Sequence, residues 1–289
     1  MNSITVRMAA AGLAAACLSG LAFGQANLNR MVTFGDSLTH NDILGLVYGN
    51  PRDLYGDDPN EAVWKKGAQS GDRLTSYAVA GSESSQVLLQ IDTFIFFEFL
   101  GIEDPPTIVG FEIGGNDILN NIGTLKQNPP GIDPAADAVI NRLTNNIRTA
   151  LTTLYTEYRC QFIVWNIPDV TLTPAEWNLT SAERENVRAH IQVVNRRLAQ
   201  GATRGPIALA DIYTGTQDFV TDPPVIYGQA LIGPPAFGQY DYLYADDIHP
   251  TAVSNLVIAN GIIETVNLQF NDDIPLYTED ELAAAAKLN

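Results

Sequence analysis

Three side chains that could act together in nucleophilic catalysis lie near opposite ends of this sequence. Ser37 follows the apolar run 31–34 and a Gly-Asp pair. Asp246 and His249 belong to the segment Asp-Asp-Ile-His-Pro-Thr near the other end. A serine hydroxyl is a weak nucleophile until a base accepts its proton, and that base needs a partner that orients it. We therefore interpret Ser37 as a candidate nucleophile, His249 as its base and Asp246 as the residue that orients His249.

Each of these assignments has a competitor in the sequence. A Gly-Asp-Ser tripeptide on its own is more often a turn or a helix N-cap, so the interpretation of Ser37 depends on the rest of the chain. Asp247 is a rival orienting residue, ranked second because its side chain is expected to point to the other side. His40 lies only three residues after Ser37 and is a weaker alternative base or a pocket residue. His190 falls inside a predicted helix, away from the strand ends.

Acyl transfer also requires hydrogen-bond donors for the negative oxygen of the tetrahedral intermediate. The backbone N–H groups of Ser37 and Gly81 and the side-chain amide of Asn116 are the candidates for this oxyanion hole. Each of these residues follows a predicted strand by a few positions. Since ligands of parallel α/β sheets bind beyond the carboxyl ends of the strands, the three residues are expected to converge at that edge.

Short apolar segments alternate with amphipathic segments along the chain, a pattern typical of parallel strands joined by helices. It predicts an α/β fold, with a mainly five-stranded parallel sheet and helices on both faces. The strands are predicted over residues 31–34, 74–79, 107–113, 160–165 and 207–212. The helices are predicted over residues 40–48, 83–100, 133–158, 181–200 and 251–270. Ser82 or Ser84 is the expected cap of the second helix, and Ser181 that of the fourth.

Two stretches lack a regular period and are predicted to be loops. Residues 50–71 are rich in Pro, Asp, Gly and Asn and include Trp64, and residues 214–241 are rich in Pro, Gly and Tyr and could cover the site. The tail 271–289 contains a capping box, Thr278 to Glu281, for one short helix. Four aromatic residues of the helix 83–100 are expected to pack in the core rather than line an acyl groove: Phe94, Phe96, Phe97 and Phe99.

The composition excludes several classes of partner. The chain has 289 residues, of which 16 are basic and 33 acidic, and its formal net charge is −17. Nucleic acid is therefore not expected as a partner, because phosphate neutralisation requires a basic surface. Histidine and cysteine do not occur at the spacing of a metal site, so no metal is expected. Cys160 opens an apolar strand without a histidine or a helix N-terminus beside it, which argues against a nucleophilic thiol.

The first residues are typical of a secretory signal peptide. Arg7 precedes the apolar run 8–23, and small residues at positions 22 and 24 predict cleavage before Gln25. The apolar run is short for a membrane anchor and lacks a basic flank. Cys17 raises a lipoprotein alternative, which is disfavoured because no leucine stands three residues before it. We expect a secreted or periplasmic protein with a signal peptide (1–24), one α/β domain (25–270) and a C-terminal tail (271–289).

Four short motifs, in this order, resemble the blocks of the SGNH, or GDSL-type, esterase/lipase family. They are Gly35-Asp36-Ser37-Leu38, the isolated Gly81, Gly114-Gly115-Asn116-Asp117, and Asp246-Asp247-Ile248-His249-Pro250-Thr251. The resemblance covers residues 31–261. It implies a three-layer α/β/α sandwich, a flavodoxin-like sheet, and a Ser37–His249–Asp246 triad with Ser37, Gly81 and Asn116 as oxyanion donors. It implies no metal and no organic cofactor.

The sequence therefore predicts a secreted serine esterase that cleaves carboxylic esters through an acyl-enzyme intermediate. A small-molecule, lipid or glycan ester is the expected substrate, with a preference for short-chain or carbohydrate esters. One alternative is a lipase or phospholipase for longer acyl chains, which an amphipathic lid with exposed leucine or phenylalanine would favour. The other alternative is a catalytically silent glycan-binding module.

Overall fold

A parallel sheet forms the centre of the molecule. The computed structural model describes residues 24–203 and 205–288. Within these residues, five strands form the sheet: β1 (Arg30–Phe34), β2 (Arg73–Ser76), β3 (Ile108–Phe111), β4 (Gln161–Trp165) and β5 (Ile207–Ala210). Their order is β2-β1-β3-β4-β5, and all four neighbouring pairs are parallel. The predicted sheet is confirmed, and its order reverses between β1 and β3, where a crevice forms at the carboxyl edge.

Helices cover both faces of the sheet, as predicted. In chain order they are α1 (Leu44–Tyr48), α2 (Pro59–Gly67), α3 (Ser84–Phe99), α4 (Gly115–Asn120), α5 (Ile122–Leu125), α6 (Pro134–Tyr158), α7 (Ser181–Ala202), α8 (Ile212–Thr221), α9 (Ala252–Phe270) and α10 (Glu279–Ala285). A small antiparallel hairpin, β6 (Val225–Ile226) and β7 (Gln229–Ala230), follows α8. Among the residues described, no helix is both long and apolar enough to cross a lipid bilayer.

The strand residues alternate between two apolar cores because successive side chains of a strand point to opposite faces. Val32 and Phe34 pack with α3, α6 and α7 on one face. Met31 and Ile163 pack with α2 and α9 on the other. Phe94 is fully buried against Phe34, with their rings in an edge-to-face arrangement. This contact fixes α3 beneath the first strand and so fixes the loop that precedes α3.

The aromatic cluster of α3 is buried only in part. Phe94 belongs to the core as predicted. Phe96 and Phe99 are exposed, Phe99 to 81%. They lie near the C-terminal end of α3, which is the end away from the carboxyl edge of the sheet. The core prediction therefore holds for Phe94 and is wrong for the two exposed rings.

The prediction of a loop over residues 50–71 is wrong, because this stretch contains α2. Asp58 caps the helix by accepting a hydrogen bond from the N–H of Glu61 at 3.0 Å. Pro59 occupies the first helical position, where its missing N–H costs nothing. Trp64 thus lies on a helix that packs against α9. The high content of turn-forming residues concealed a helix start that the Asp-Pro pair marks.

The helix caps also differ from the prediction. Glu83, not Ser82 or Ser84, is the cap of α3, and its N–H donates to the side chain of Gln86. Ser84 instead donates its hydroxyl to Asp117 at 2.7 Å. This bond ties the start of α3 to the start of α4.

The cap of α7 is displaced by one residue from the prediction. Thr180, not Ser181, accepts the N–H of Glu183, and a capping box closes this helix end. The error comes from two adjacent hydroxyl residues, either of which has the side chain that a cap requires.

The stretch 214–241 is more ordered than a loop. Its first part belongs to α8, which Asp211 caps by accepting the N–H of Thr214 at 3.2 Å. The β6–β7 hairpin follows. The predicted capping box at Thr278 is confirmed at the start of α10. Leu282 of α10 is buried in a third apolar cluster with Phe219 of α8, so the C-terminal segment packs against this part of the molecule.

Candidate active site

Ser37 lies shortly beyond β1, on a tight turn at the carboxyl edge of the sheet. The N–H groups of Thr39 and His40 both donate to the backbone oxygen of Asp36, and these bonds close the turn. The turn presses against the neighbouring strand, since a Cβ placed on Gly35 would lie 2.1 Å from the carbonyl oxygen of Glu112. Only glycine fits at this position. The glycine of the Gly-Asp-Ser segment is therefore required by the close approach of two backbones.

The structure brings Ser37, His249 and Asp246 together. Ser37 Oγ lies 2.8 Å from His249 Nε2. His249 Nδ1 lies 2.9 Å from Asp246 Oδ2 and 3.1 Å from Asp246 Oδ1. With its proton on Nδ1, the imidazole donates to Asp246 and accepts from the Ser37 hydroxyl. All three side chains are buried. This is the arrangement that a serine nucleophile, its base and an orienting carboxylate require.

Asp246 is held by several donors besides the imidazole. Its Oδ1 accepts the backbone N–H groups of Ile248 at 2.8 Å and His249 at 2.7 Å. Its Oδ2 accepts the hydroxyl of Tyr55 at 2.9 Å. Burial alone would raise the pKa of Asp246, but the hydrogen bonds and the charge of His249, with the two backbone N–H groups, lower it. Asp246 is therefore ionised in the folded protein at neutral pH.

Two tyrosines enclose the imidazole. The ring of Tyr48, at the end of α1, lies 5.3 Å from that of His249, and the ring of Tyr55 lies at 6.4 Å, both edge-to-face. Neither residue was among the predicted site residues. Each lies upstream of the second strand, far from His249 along the chain, so no local pattern connects them to the site.

Gly81 lies near Ser37 because the chain beyond β2 continues alongside the chain beyond β1. The N–H of Tyr77 donates to Thr33 and that of Val79 donates to Gly35, which extends the parallel pairing towards the turn. Gly81 has φ +80°, a backbone conformation that favours glycine. In the part of the chain that the structure describes, the N–H groups of Ser37 and Gly81 donate to no protein acceptor. Both N–H groups are therefore available to a further acceptor.

Asn116 lies in the first turn of α4, and its side-chain amide is already engaged. Nδ2 donates to Asp36 Oδ2 at 2.9 Å and to the carbonyl oxygen of Ser82 at 3.1 Å. An oxyanion at this position therefore has to share or replace one of these acceptors. Asn116 thus lies beside Asp36 at the carboxyl edge of the sheet, and its amide is a candidate donor with two acceptors already bound.

A buried pair of carboxyl groups below the turn was also missed. Asp36 and Glu112 are each 2% exposed. Burial, the charge of Asp36 and a hydrogen bond between the two carboxyls raise the pKa of Glu112 well above its usual range. Burial likewise raises the pKa of Asp36, although Leu38 N–H, Glu112, His249 and Asn116 oppose the shift. A glutamate inside the predicted apolar strand 107–113 was the sequence signal for this pair.

The competing candidates lie elsewhere. His40 Nε2 is 3.9 Å from the carboxylate of Asp42 on a partly exposed turn. His190 is buried within α7, with Nε2 3.0 Å from the backbone oxygen of Asn128. Asp247 makes no hydrogen bond to the imidazole; its backbone oxygen accepts the N–H of Ala175.

Within the described residues, the cysteine and the potential metal ligands offer no second reactive site. Burial raises the pKa of the Cys160 thiol to about 12. Among residues 24–203 and 205–288, no cluster of potential metal ligands occurs.

An apolar cleft opens beside Ser37 and Asn116. Its volume is about 80 Å³. The lining comes from α4, the segment 168–173, α8 and the loop before His249, and includes Leu119, Val170, Phe219 and Leu243. A buried volume of this size holds roughly five to eight water-sized groups. The cleft can therefore accept a short apolar group bound to Ser37.

The molecule is an α/β/α sandwich, and the candidate site lies at the carboxyl edge of its parallel sheet. The profile of the GDSL-like lipase/acylhydrolase family matches residues 31–262, which is most of the chain. The chain therefore belongs to the GDSL-like lipase/acylhydrolase family and is a hydrolase that acts on esters. No curated protein matches the sequence.

Solved structures with the same fold include esterases and lipases. A lipase from a goat rumen metagenome, Lip_vut3, is 15% identical and has a TM-score of 0.56, with 85% of this chain and 99% of that chain covered. An extracellular lipase from Streptomyces rimosus is 17% identical, with a TM-score of 0.51 and coverage of 83% and 99%. A variant of Axe2, an acetyl xylan esterase from Geobacillus stearothermophilus, is 14% identical, with a TM-score of 0.51 and coverage of 85% and 97%.

Proposed function

We propose that this protein is a secreted serine esterase that cleaves short-chain or carbohydrate carboxylic esters through an acyl-enzyme intermediate. The observation that carries the proposal is the continuous hydrogen-bonded chain from Ser37 Oγ to His249 Nε2, at 2.8 Å, and from His249 Nδ1 to Asp246, at 2.9 Å. Family membership supplies the class of reaction, and this chain supplies the residues for it.

In the first half of the reaction, Ser37 Oγ attacks the ester carbonyl carbon while His249 Nε2 takes the hydroxyl proton. The carbonyl oxygen becomes negative and is stabilised by the N–H groups of Ser37 and Gly81 and by the amide of Asn116. His249 then gives its proton to the departing alcohol oxygen, which leaves an acyl group on Ser37. In the second half, His249 accepts a proton from water, whose oxygen attacks the acyl carbon. The bond between the acyl carbon and Ser37 Oγ then breaks, His249 returns the proton to Oγ, and the acid is released.

Asp246 stabilises the positive imidazole that forms in both halves. Its lowered pKa keeps it ionised, so a full negative charge lies 2.9 Å from Nδ1 when the ring becomes protonated. The donors Tyr55, Ile248 and His249 N–H hold the carboxylate in place before the reaction begins. Such preorganisation means that the site need not reorganise as charge develops.

The cleft beside Ser37 supports a short acyl group. Its volume of about 80 Å³ accommodates an acetyl or a short alkanoyl chain, and its lining is largely apolar. An acetyl xylan esterase is among the proteins that share the fold. The alcohol side of the substrate is a small molecule or a glycan. The net charge of −17 disfavours nucleic acid as a partner.

Export and domain organisation are part of the same proposal. The predicted signal peptide lies outside the described residues except for Gly24, and so does Cys17. We propose cleavage before Gln25, a secreted or periplasmic location, and an enzyme domain over residues 25–270. The tail 271–289 adds α10, which packs against the region around α8.

The test is the initial rate of hydrolysis of p-nitrophenyl esters from acetate to a long-chain acyl group. We expect wild type to favour the short esters, and Ser37→Ala to lose about 10⁴-fold or more in kcat. Ser85→Ala is the matched control, because Ser85 is an exposed serine on α3 and should retain full activity.

An active Ser37→Ala variant would overturn the nucleophile assignment. A wild-type rate that rises steeply with chain length would overturn the short-chain preference. A wild-type protein that is folded and silent on every ester, yet binds glycans, would favour the binding-module alternative.

One observation favours a second candidate, a lipase for longer acyl chains. The helix α1 presents exposed apolar side chains beside the site: Leu46 is 88% and Val47 62% exposed. The next residue, Tyr48, lies against the imidazole of His249. An apolar rim at the entrance is suited to contact with an insoluble ester. This rim supplies the exposed leucine that was expected near a lipase site, while Phe237 is the exposed phenylalanine within residues 214–241.

The two candidates separate when the rim is made polar. A Leu46→Ser, Val47→Ser double variant should lose activity on an emulsified triglyceride, but not on soluble p-nitrophenyl acetate, if α1 contacts an ester surface. Leu268→Ser is the control, since Leu268 is similarly exposed near the far end of α9. Equal rates of all three proteins on the emulsion would exclude a contact between α1 and the ester surface, and a wild-type protein inactive on the emulsion would exclude the lipase candidate.

A further inference from the structure

The carboxyl pair Asp36–Glu112 is placed to act on the oxyanion donor Asn116, and this inference rests on the proposed function. Asp36 directly precedes Ser37, and Glu112 directly follows β3. Both are buried to the same degree. Neither side chain contacts the atoms that react in the proposed acyl transfer, so the pair has to act through a residue that does.

Asp36 connects the pair to the site through specific hydrogen bonds. Its Oδ1 accepts the N–H of Leu38 at 3.0 Å, which fixes the turn that carries Ser37. Its Oδ2 accepts Nδ2 of Asn116 at 2.9 Å. The second acceptor of the Asn116 amide is the carbonyl oxygen of Ser82, at 3.1 Å. Asn116 is thus held between two acceptors, of which only Asp36 can change its charge.

The surroundings favour one proton on this pair, located on Glu112. Glu112 Oε2 is buried and has no hydrogen-bond partner among the described residues, so a negative charge there would be unpaired. Asp36 has the N–H of Leu38 and the amide of Asn116 as donors.

The Thr39 hydroxyl and the Asp36 N–H oppose the rise in the pKa of Glu112, but they leave its Oε2 without a partner among the described residues. The charge of His249 favours ionisation of Asp36 alone. When two buried carboxyl groups are in contact, the one with the unsatisfied oxygen retains the proton. The raised pKa of Glu112 agrees with this distribution.

We propose that Glu112 is a positioning residue that, as a neutral acid, donates a hydrogen bond to the ionised Asp36 and thereby holds the Asn116 amide with Nδ2 facing Asp36. The second N–H of Asn116, which donates to the carbonyl oxygen of Ser82, is then the one that an oxyanion shares. The amide of asparagine has a donor end and an acceptor end. An ionised Asp36 accepts only the donor end. If Asp36 lost its charge or its position, the amide could turn its oxygen towards the developing negative charge and repel it.

The test compares two substitutions of the same residue. Glu112→Gln keeps a neutral donor towards Asp36 and should retain kcat within about fivefold of wild type. Glu112→Leu has no donor and should lower kcat by about 10- to 100-fold with little change in KM, because the amide is misplaced only for the transition state. Thermal unfolding of each variant checks that both are folded under the assay conditions.

A double-mutant cycle shows whether Glu112 acts through Asn116. Asn116→Ala should itself cost about 10²–10³ in kcat. In that background Glu112→Leu should have almost no further effect, because the residue it positions is gone. Asp36→Asn tests the hydrogen bond between Asp36 and Asn116 in the same way. It should lower kcat in the wild-type background and have little further effect in the Asn116→Ala background.

Three results would overturn the inference: equal kcat for Glu112→Leu and wild type, equal loss in the Gln and Leu variants, or additive losses in the cycle. If Glu112→Leu does not fold, Glu112→Met, which also lacks a donor, takes its place in the comparison and in the cycle. Failure here is distinguishable from failure of the proposed function. Ser37→Ala would still be inactive if only the role of Glu112 were wrong, whereas an active Ser37→Ala would remove the basis of both.

Discussion

Two buried acids on opposite sides of Ser37 differ in protonation although their exposure is nearly the same. Asp246 is 4% exposed and Glu112 is 2% exposed. Hydrogen bonds and the charge of His249 lower the pKa of Asp246 despite its burial. Burial and the charge of Asp36 raise the pKa of Glu112. Burial therefore does not decide the charge of either group; the neighbouring donors do.

The difference corresponds to two tasks in the proposed reaction. On the histidine side, a positive charge forms on the imidazole, and Asp246 needs a permanent negative charge to stabilise it. On the oxyanion side, a negative charge forms on the substrate. A second free carboxylate below that position would oppose it. A neutral Glu112 limits the buried negative charge there to Asp36, whose carboxylate is paired with Asn116 Nδ2 and Leu38 N–H.

The largest expected effect is the difference between two variants in which a carboxyl group is replaced by an amide, one at Asp246 and one at Glu112. Asp246→Asn should lower kcat by about 10³- to 10⁴-fold, because an amide stabilises neither the required tautomer nor the imidazolium. Glu112→Gln should retain most of the activity, since the native group is already neutral. Steady-state kinetics on p-nitrophenyl acetate measure both. Similar losses in the two variants would show that the two acids do not differ in charge.

A smaller effect is expected when one donor to Asp246 is removed. Tyr55→Phe deletes the hydroxyl that donates to Asp246 Oδ2 at 2.9 Å. The carboxylate loses part of its stabilisation, so kcat should fall by about 3- to 10-fold. Tyr240→Phe is the matched control, because its hydroxyl donates to the exposed Asp53, also at 2.9 Å. A Tyr55→Phe variant as active as the control would show that the remaining donors suffice.

The smallest effect concerns stability and its dependence on pH. The pKa of Glu112 is raised in the folded state, so above the usual glutamate range the unfolded chain releases a proton that the folded chain keeps. Stability therefore falls as pH rises from that range to the folded pKa. Glu112→Gln removes this loss. Its gain in Tm over wild type should grow from near zero at about pH 4.5 to a few degrees at about pH 8.

Circular dichroism melts of the two proteins in matched buffers measure this gain, with Glu185→Gln, an exposed glutamate of α7, as the control. A gain that is equal at both pH values would indicate better packing rather than a proton. A gain that shrinks as pH rises would mean that Glu112 is ionised in the folded protein.

The sequence predicted those parts of the site that depend on strand ends. Ser37, Gly81 and Asn116 each follow a strand of a parallel sheet, so their convergence needed only the order of elements. Asp246 and His249 are three residues apart, so one loop delivers both. The same reasoning predicted the five strands and the long helices, because their apolar periods are regular.

The parts of the site that were not predicted depend on contacts between residues distant in sequence, which no local pattern encodes. Tyr55 reaches Asp246 from the end of a 3₁₀ turn, Arg52–Leu54, within a stretch predicted to be a loop. Glu112 was interpreted as one position of an apolar strand, although a carboxyl group in such a run signals a buried partner. The engagement of Asn116 by Asp36 follows from side-chain rotamers, which the order of elements does not determine.

The central claim, that Ser37 is the nucleophile, is tested most directly by labelling with a fluorophosphonate, which reacts with activated serine hydroxyls. The site of the adduct is then mapped by mass spectrometry of proteolytic peptides. We predict one adduct per chain, on the peptide that contains Ser37, and none in the Ser37→Ala and His249→Ala variants. An adduct on another serine, such as Ser82 or Ser84, or an unlabelled wild-type protein that still hydrolyses esters, would contradict the account.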